Sequence, residues 1–329
     1  MAKATFSSRA GGGPTFAGAQ PGLRIGLLNN MPDAALAATE RQFSTLLQVA
    51  SGTPVLLQLF ALNGVARGPD AQAHMRGRYQ GAEMLPEAGL DGLIVTGAEP
   101  RAASLEEEPY WPALTRVIDW SKTSGVPTIW SCLAAHAAVL HLSGIRRRPL
   151  DMKLSGVFEC QPVRDDPLLD GASGALITPH SRQNGLAAID LGDRGYRVLT
   201  QSAAVGVDAF VRRGSGLALF LQGHPEYDAE TLMREYTRDV GRYLNGKRPH
   251  HPETPAHYFE PDVEAGLAEL GDFARRRPRP DLAPLYTAIL AKAAPSRTWR
   301  ASSVRLYRNW LAEAARTRAA PSGRRREMA

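Results

Sequence analysis

The chain has 329 residues, 43% of them hydrophobic and 22% charged, a balance that fits a packed protein with a core large enough to need no disulfide staples. Its formal charge of +6 is unevenly spread: residues 271–329 carry 14 Lys/Arg against 4 Asp/Glu, a net of +10, while residues 1–270 hold 25 against 29, a net of −4. Two cysteines exclude a secreted disulfide framework, no apolar run reaches the roughly 18 residues of a membrane span, and the opening residues lack the apolar stretch of a secretory signal. These features predict a soluble, cytoplasmic protein with no membrane contact.

Residues 1–21, rich in Gly, Ala, Ser and Pro, predict a flexible leader. Residues 23–28 (LRIGLL) form a short apolar run expected as a buried strand. Residues 34–49 follow with helical spacing through Leu36, Phe43, Leu46 and Leu47, and residues 54–60 predict the next strand. After a polar, Gly-bearing stretch, residues 90–97 predict a strand ending in a Gly turn and residues 110–122 an amphipathic helix. Residues 126–130 predict a further strand, and residues 133–142 a helix of strong helix formers stopped by Gly144. Strand and helix alternating in this way predict an α/β fold, a mostly parallel sheet flanked by helices.

Later strands are predicted at 175–178, 197–200, 206–211 and 217–222. A helix over 229–244 is expected to be capped by Asp228. Residues 249–296 are Pro-rich with a helix-like piece at 281–292; a last helix is predicted over 305–317 and a disordered end over 321–329.

Chemistry concentrates at two strand ends. Cys132 stands between an apolar strand and an Ala-rich helix, where a thiol is presented to solvent and the helix N-terminus favours its thiolate; the bland alternative is a small buried core residue. His224 and Glu226, in His-Pro-Glu, follow another strand. Pro225 keeps His224 extended, so residues i and i+2 point the same way and Glu226 can orient the ring. Taken alone, His-x-Glu reads better as a polar turn before a helix. Both motifs lie at carboxyl ends of predicted parallel strands, the edge where open α/β sheets carry their sites. No Walker loop, GxGxxG, CxxC or HExxH occurs, so those motifs lend no support to a metal centre or a nucleotide-phosphate site.

Read together, these blocks resemble one family. Residues 23–29 with Met31-Pro32 and Thr39-Glu40, then Asp91 to Ala98 (DGLIVTGA), Tyr110-Trp111 and Trp120-Ser121-Lys122, are similar to the homoserine O-succinyltransferase family of methionine biosynthesis. Cys132, Lys153 to Glu159 (KLSGVFE), Pro179-His180-Ser181-Arg182, Gly223 to Asp228 (GHPEYD), Tyr258-Phe259, Trp299-Arg300 and Asn309-Trp310 continue the match in order. The resemblance implies a class I glutamine amidotransferase-like fold with Cys132 as nucleophile, His224 as general base and acid, and Glu226 as its orienter. It implies a ping-pong route through an acyl-Cys132 thioester, with acyl-CoA as co-substrate and no resident cofactor or metal. Oxyanion donors would come from the backbone at Gly97, Ala98 and Leu133. Arg238 matches the arginine that holds the acceptor's carboxylate, and Lys153 and Ser181 match substrate-site positions.

The chain departs from the family pattern in several places. Cys132-Leu133-Ala134-Ala135-His136 replaces the usual C-W-[GA]-x-Q, Asp33-Ala34 replaces basic residues after Met-Pro, and the stretch over about 262–296 is longer, as an insertion would make it. In the family, glycine at the position occupied here by Arg101 goes with succinyl and glutamate with acetyl. A cation there would pair with succinyl's free carboxylate, which favours succinyl-CoA as donor. Homoserine is the expected acceptor, with serine or another hydroxy amino acid left open; a homodimer is also left open.

The expected organisation is a leader (1–21), one acyltransferase domain (22–311) with the insertion, and a basic disordered tail (312–329). Two other readings remain at this level: a glutamine amidotransferase-like thiol hydrolase, and a non-catalytic protein that binds a polyanion through its basic end. The first lacks an ammonia-accepting domain, and the second leaves Cys132, His224 and Glu226 unexplained. Solvated helix faces account for the basic end without nucleic acid.

Overall fold

A computed structural model describes residues 5–6, 22–295 and 297–319. The first half alternates strand and helix: β1 (Thr5–Phe6), β2 (Leu23–Leu28), α1 (Asp33–Ala50), β3 (Val55–Ala61), α2 (Pro69–Met75), β4 (Tyr79–Gly81), β5 (Gly92–Val95), α3 (Trp111–Ser124), β6 (Thr128–Ser131) and α4 (Leu133–Ser143). The second half begins with strands β7 (Arg148–Pro162), β8 (Leu176–Gly185), β9 (Arg197–Ser202), β10 (Gly206–Arg213) and β11 (Leu217–Leu221), with α5 (Ala188–Gly192) between β8 and β9. Helices α6 (Thr231–Leu244), α7 (Pro261–Arg276), α8 (Ala283–Leu290) and α9 (Arg300–Ala319) follow.

Among the described residues the strands form one eleven-stranded sheet, ordered β1-β3-β2-β5-β6-β11-β10-β9-β7-β8 with β4 beside β3. The pairings from β1 through β6 to β11 are parallel; from β11 outward they are antiparallel. The parallel strands are apolar on both faces because helices cover both. On one side Leu28, Val95, Trp130 and Phe220 pack against α3 and α4; on the other Ile25, Leu27, Ile94, Ile129 and Leu219 pack against α1 and α9. Helix α4 is hydrophobic around most of its girth, as a helix buried by its neighbours must be. It stops at Gly144, whose left-handed φ of 68° glycine adopts without strain.

The strands and helices expected over residues 22–144 are all present, within a few residues of their expected limits. The second half brings corrections. Residues 148–162 form the longest strand of the sheet, β7, where no element was expected; its first half is largely exposed and polar, so no apolar run announces it. Asp228 does not cap α6. That helix starts at Thr231 with no side-chain cap, and Asp228 contributes its carbonyl, which accepts the Thr231 N–H at 3.1 Å. The segment read as an insertion folds as α7 and α8, whose Val263, Leu267, Tyr286 and Leu290 pack on α6.

The expected disordered tail is also displaced. Helix α9 runs through residues 312–319, and Arg318 donates to the Gly22 carbonyl at 3.2 Å. Residues 320–329 lie outside the described residues. So does most of the expected leader, apart from Thr5–Phe6, which pairs with β3.

Helix α9 belongs to the core: Tyr307 and Trp310 are fully buried, and a Cβ placed on Gly92 of β5 would come within 2.7 Å of the Trp310 ring. Trp310→Ala is therefore expected to cost about 3–5 kcal/mol. Chemical denaturation would measure this, and a loss under about 1 kcal/mol would mean that α9 packs loosely.

Candidate active site

Strands β6 and β11 lie side by side and parallel, with Leu221 opposite Ser131, so the residues after them emerge at one edge of the sheet. The Cys132 N–H donates to the Leu221 carbonyl at 2.7 Å, the last rung of that ladder. The chain then turns at Cys132 with φ 51° and ψ −112° and enters α4. A non-glycine residue at positive φ is strained, a condition that persists only where surrounding structure enforces it. A strand-to-helix turn of this kind lifts a nucleophile clear of the sheet. Cys132 is partly accessible, whereas Cys160 is fully buried and both thiols are free. Burial pushes the Cys160 thiol far above its ordinary range, so it stays protonated and unreactive.

Beside this turn, Gly97 follows β5. A Cβ there would lie 2.7 Å from the Leu133 Cβ and 3.2 Å from the Leu133 nitrogen, so only glycine lets the turn approach the first residue of α4. Asn30 fixes the same turn, its backbone N–H donating to Thr96 Oγ1 at 2.8 Å and its amide to the Thr96 carbonyl at 3.2 Å. The backbone of Gly97 and Leu133 is thus gathered next to Cys132, with Ala98 following in the chain.

His224 follows β11. Its N–H donates to the Pro179 carbonyl of β8 at 2.7 Å, its Nδ1 lies 2.9 Å from Glu226 Oε1, and its ring stacks on Tyr227 at 4.3 Å between centroids. The Cys132 sulfur acts electrostatically on the same ring. Burial alone would strip the proton from His224, but the charges of Cys132 and Glu226 outweigh it and hold the ring's pKa well above the ordinary imidazole value. The three residues singled out in the sequence are therefore gathered at one site, Glu226 bonded to the His224 ring and Cys132 near enough for its charge to act on it. The arrangement supplies a sulfur nucleophile, a proton carrier and a carboxylate that orients the carrier.

Lys153, Ser181 and Arg238 converge on a pair of acids on α6. Lys153 Nζ donates to Asp239 Oδ2 at 2.9 Å and to Glu235 Oε2 at 3.4 Å, and the Ser181 hydroxyl also donates to Glu235 Oε2. Tyr227, stacked on His224, donates its hydroxyl to Glu235 Oε1 at 2.8 Å. Burial would raise the Glu235 carboxyl's pKa, but the Lys153 charge and these hydrogen bonds prevail and keep it below the usual range. Arg238, on α6 like Glu235, pairs with the adjacent Asp239 at 2.9 Å. Sequence reasoning missed Glu235 and Asp239 as site residues because Lys153 and Ser181 reach them from β7 and β8, and it missed Tyr227, whose hydroxyl partner Glu235 lies eight residues on.

The remaining cations differ in setting. Arg101 is exposed and its charge falls on Asp33, while its backbone N–H donates to Glu108 Oε1 at 2.5 Å. Arg182 is buried against carbonyls, donating to Asn184 at 2.7 Å and to Val205, which marks it as a brace under the site. Cys160, His180 and Asp208 could in principle hold a cation, since their donor atoms lie within 4.8 Å of one another. The cluster is already bonded internally: His180 Nε2 is 3.2 Å from Asp208 Oδ1, and the Thr200 hydroxyl donates to Asp208 Oδ2 at 2.8 Å. It packs beneath Gly223, where a Cβ would meet Thr178 at 2.4 Å.

A sheet with a cysteine on the strained turn after one parallel strand, and a carboxylate-paired histidine after the next, defines an α/β protein of the class I glutamine amidotransferase type. A glutamine amidotransferase from Thermotoga maritima shares this fold, with a TM-score of 0.50 and 14% identity over 92% of this chain and 100% of that one. Within the class, residues 18–319 match the family model for homoserine O-succinyltransferase. The chain is 49% identical over 290 residues to the homoserine O-succinyltransferase of Methylorubrum extorquens, covering 88% of this chain and 86% of that one. It is 47% identical over 291 residues to the homoserine O-succinyltransferase of Bradyrhizobium japonicum, covering 88% and 89%. The chain belongs to the homoserine O-succinyltransferase family.

His136, which stands where the family pattern has Gln, is buried and lies 2.9 Å from Gln222 Oε1, one residue before Gly223-His224. Burial lowers its pKa to about 4, outweighing the Gln222 hydrogen bond, which acts to raise it. Because the unfolded ring titrates near the ordinary imidazole value of 6.5, acid favours the unfolded chain. His136 stability is thus complete above that pH and is lost as pH falls toward 4. Between pH 7 and 5 the loss from this residue should be about 2 kcal/mol. His136→Gln keeps a donor for Gln222 and should flatten the pH dependence of unfolding by that amount. Parallel stability curves for the two proteins would refute the assignment.

Proposed function

We propose that the protein transfers the succinyl group of succinyl-CoA to the hydroxyl of L-homoserine through a thioester on Cys132, the step that commits homoserine to methionine biosynthesis. The observation that carries this reading is the grouping of Cys132 with the bonded pair His224 and Glu226, within a chain 49% identical to a homoserine O-succinyltransferase. The Cys132 thiolate attacks the thioester carbonyl, and the resulting oxyanion is held by backbone N–H groups at Gly97, Ala98 and Leu133. CoA departs with the proton of His224, leaving the acyl group on sulfur. His224, now neutral, takes the proton of the homoserine hydroxyl as that oxygen attacks the acyl carbonyl, and the Cys132 thiolate and protonated His224 are restored.

Acceptor binding falls to the cluster on α6. Arg238 pairs with the carboxylate of homoserine, while Glu235, kept ionised by Lys153 and Ser181, faces its ammonium. Acyl-CoA is a co-substrate, and the reaction as written needs no resident cofactor or metal. Among the described residues no helix is long and apolar enough to cross a membrane, and a cytoplasmic location suits a biosynthetic step of this kind.

Mass spectrometry of protein mixed with succinyl-CoA, without acceptor, tests the route. One succinyl adduct on Cys132 is expected, discharged when homoserine is added. Cys132→Ala should abolish the adduct and lower turnover by roughly four orders of magnitude or more, while Cys160→Ala leaves both intact. Turnover without any adduct would exclude the covalent route, and glutamine hydrolysis without acyl transfer would favour an amidotransferase-like hydrolase.

A further inference from the structure

Glu226 holds one edge of the His224 ring, through Nδ1 at 2.9 Å. A single hydrogen bond along an edge leaves a ring free to roll about that bond, so the plane of the imidazole needs a second restraint. Tyr227 supplies it. Its N–H donates to the His224 carbonyl at 3.2 Å, closing a turn. Its ring then lies over the imidazole face, with centroids 4.3 Å apart and planes inclined by 17°. Trp299 anchors the same residue, its indole N–H donating to the Tyr227 carbonyl at 3.0 Å. Tyr227 and Trp299 are both buried, so packing as well as hydrogen bonding holds the stack.

The other end of the tyrosine reaches the acceptor cluster. Its hydroxyl donates to Glu235 Oε1 at 2.8 Å, while Ser181 and Lys153 take Oε2. Burial and the Glu235 charge push the phenol well above its ordinary range, so it keeps its proton and stays a donor. The two oxygens of Glu235 are thus tied to different elements, Oε1 to the turn after β11 and Oε2 to β8 and β7. One rigid side chain touches the proton carrier with its face and, with its hydroxyl, the acid that meets the acceptor's ammonium.

We infer that Tyr227 is a positioning residue that links the two halves of the site: its ring sets the plane of the His224 imidazole, and its hydroxyl sets Glu235 at a fixed distance from that ring. The acceptor held by Glu235 then presents its own hydroxyl to the base. The inference rests on the acyltransferase reading above and deepens it. The ring serves both half-reactions, because His224 moves a proton in each. The tyrosine hydroxyl serves only the second, because Glu235 meets only the acceptor.

Steady-state kinetics read these contributions apart, since in a ping-pong route kcat/KM for each substrate reports its own half-reaction. Tyr227→Phe keeps the ring. It should lower kcat/KM for homoserine by about 10-fold, mainly through KM, as a hydrogen bond to a charged group is lost, and kcat/KM for succinyl-CoA by about threefold at most. Tyr227→Leu removes the stack and should lower both by about 10-fold or more. In a Glu235→Gln background, Tyr227→Phe should cost homoserine less than about threefold, because the charge it served is already gone. Equal losses on both substrates in Tyr227→Phe, no loss on homoserine, or losses that add with Glu235→Gln would overturn the linkage while leaving the acyltransferase reading intact. Tyr227→Phe alone decides the matter if Tyr227→Leu does not fold. A wild-type protein that transfers no succinyl group to homoserine would overturn that reading, and the linkage with it.

Discussion

The parallel register of β6 and β11 is the constraint on which the site depends. Leu221 faces Ser131, and the next rung, from the Cys132 N–H to the Leu221 carbonyl, carries the ladder to the point where both chains leave the sheet. One continues into a strained turn and α4, the other into Gly-His-Pro-Glu. A shift of one residue in either strand would exchange its two faces. It would place Phe220, now packed against Trp130 and α4, on the side of α1 and α9. The two cores on the faces of the sheet therefore fix the distance between sulfur and imidazole, although neither core touches the chemistry.

Electrostatics adds what packing leaves unset. In a mildly acidic body, cations occupy a few buried or half-buried positions: Lys153 between Glu235 and Asp239, and Arg182 among backbone carbonyls. Each carries charge into a region where it is worth more than in water. The excess charge of the C-terminal stretch has a different use. Arg275 pairs with Asp272, Arg316 with Glu313, and Arg213 of β10 reaches the same Glu313. These are surface pairs of small energetic value, and the site owes nothing to them.

Much of this was legible in the sequence because buried parallel strands and the helices that cover them leave continuous or periodic apolar patterns. Leu23 to Leu28 and Leu217 to Leu221 are such runs, and Phe43, Leu46 and Leu47 mark the buried stripe of α1. Cys132 and His224 could be singled out from position alone, since each stands just past an apolar strand. What stayed hidden depends on partners distant in the chain. Strand β7 is held by its ladder with β8 rather than by its own apolar content. Glu235 looked like a helix-surface acid until Lys153 and Ser181 were brought over it. Helix α7 was masked by the Pro-rich character of its surroundings, although Pro261 in its first turn is compatible with a helix start.

At the centre stands one electrostatic claim: Cys132 and Glu226 together hold the pKa of the buried His224 ring well above its ordinary value, against the pull of burial. Nitrogen-detected NMR of the histidine rings, with His224 assigned by substitution, reads this directly as a function of pH. In the wild type, the His224 ring should remain an imidazolium at pH 7.5, and Cys132→Ala should return it to the neutral form at that pH. A neutral His224 ring in the wild type at pH 7.5, unchanged by removing the sulfur, would contradict that claim.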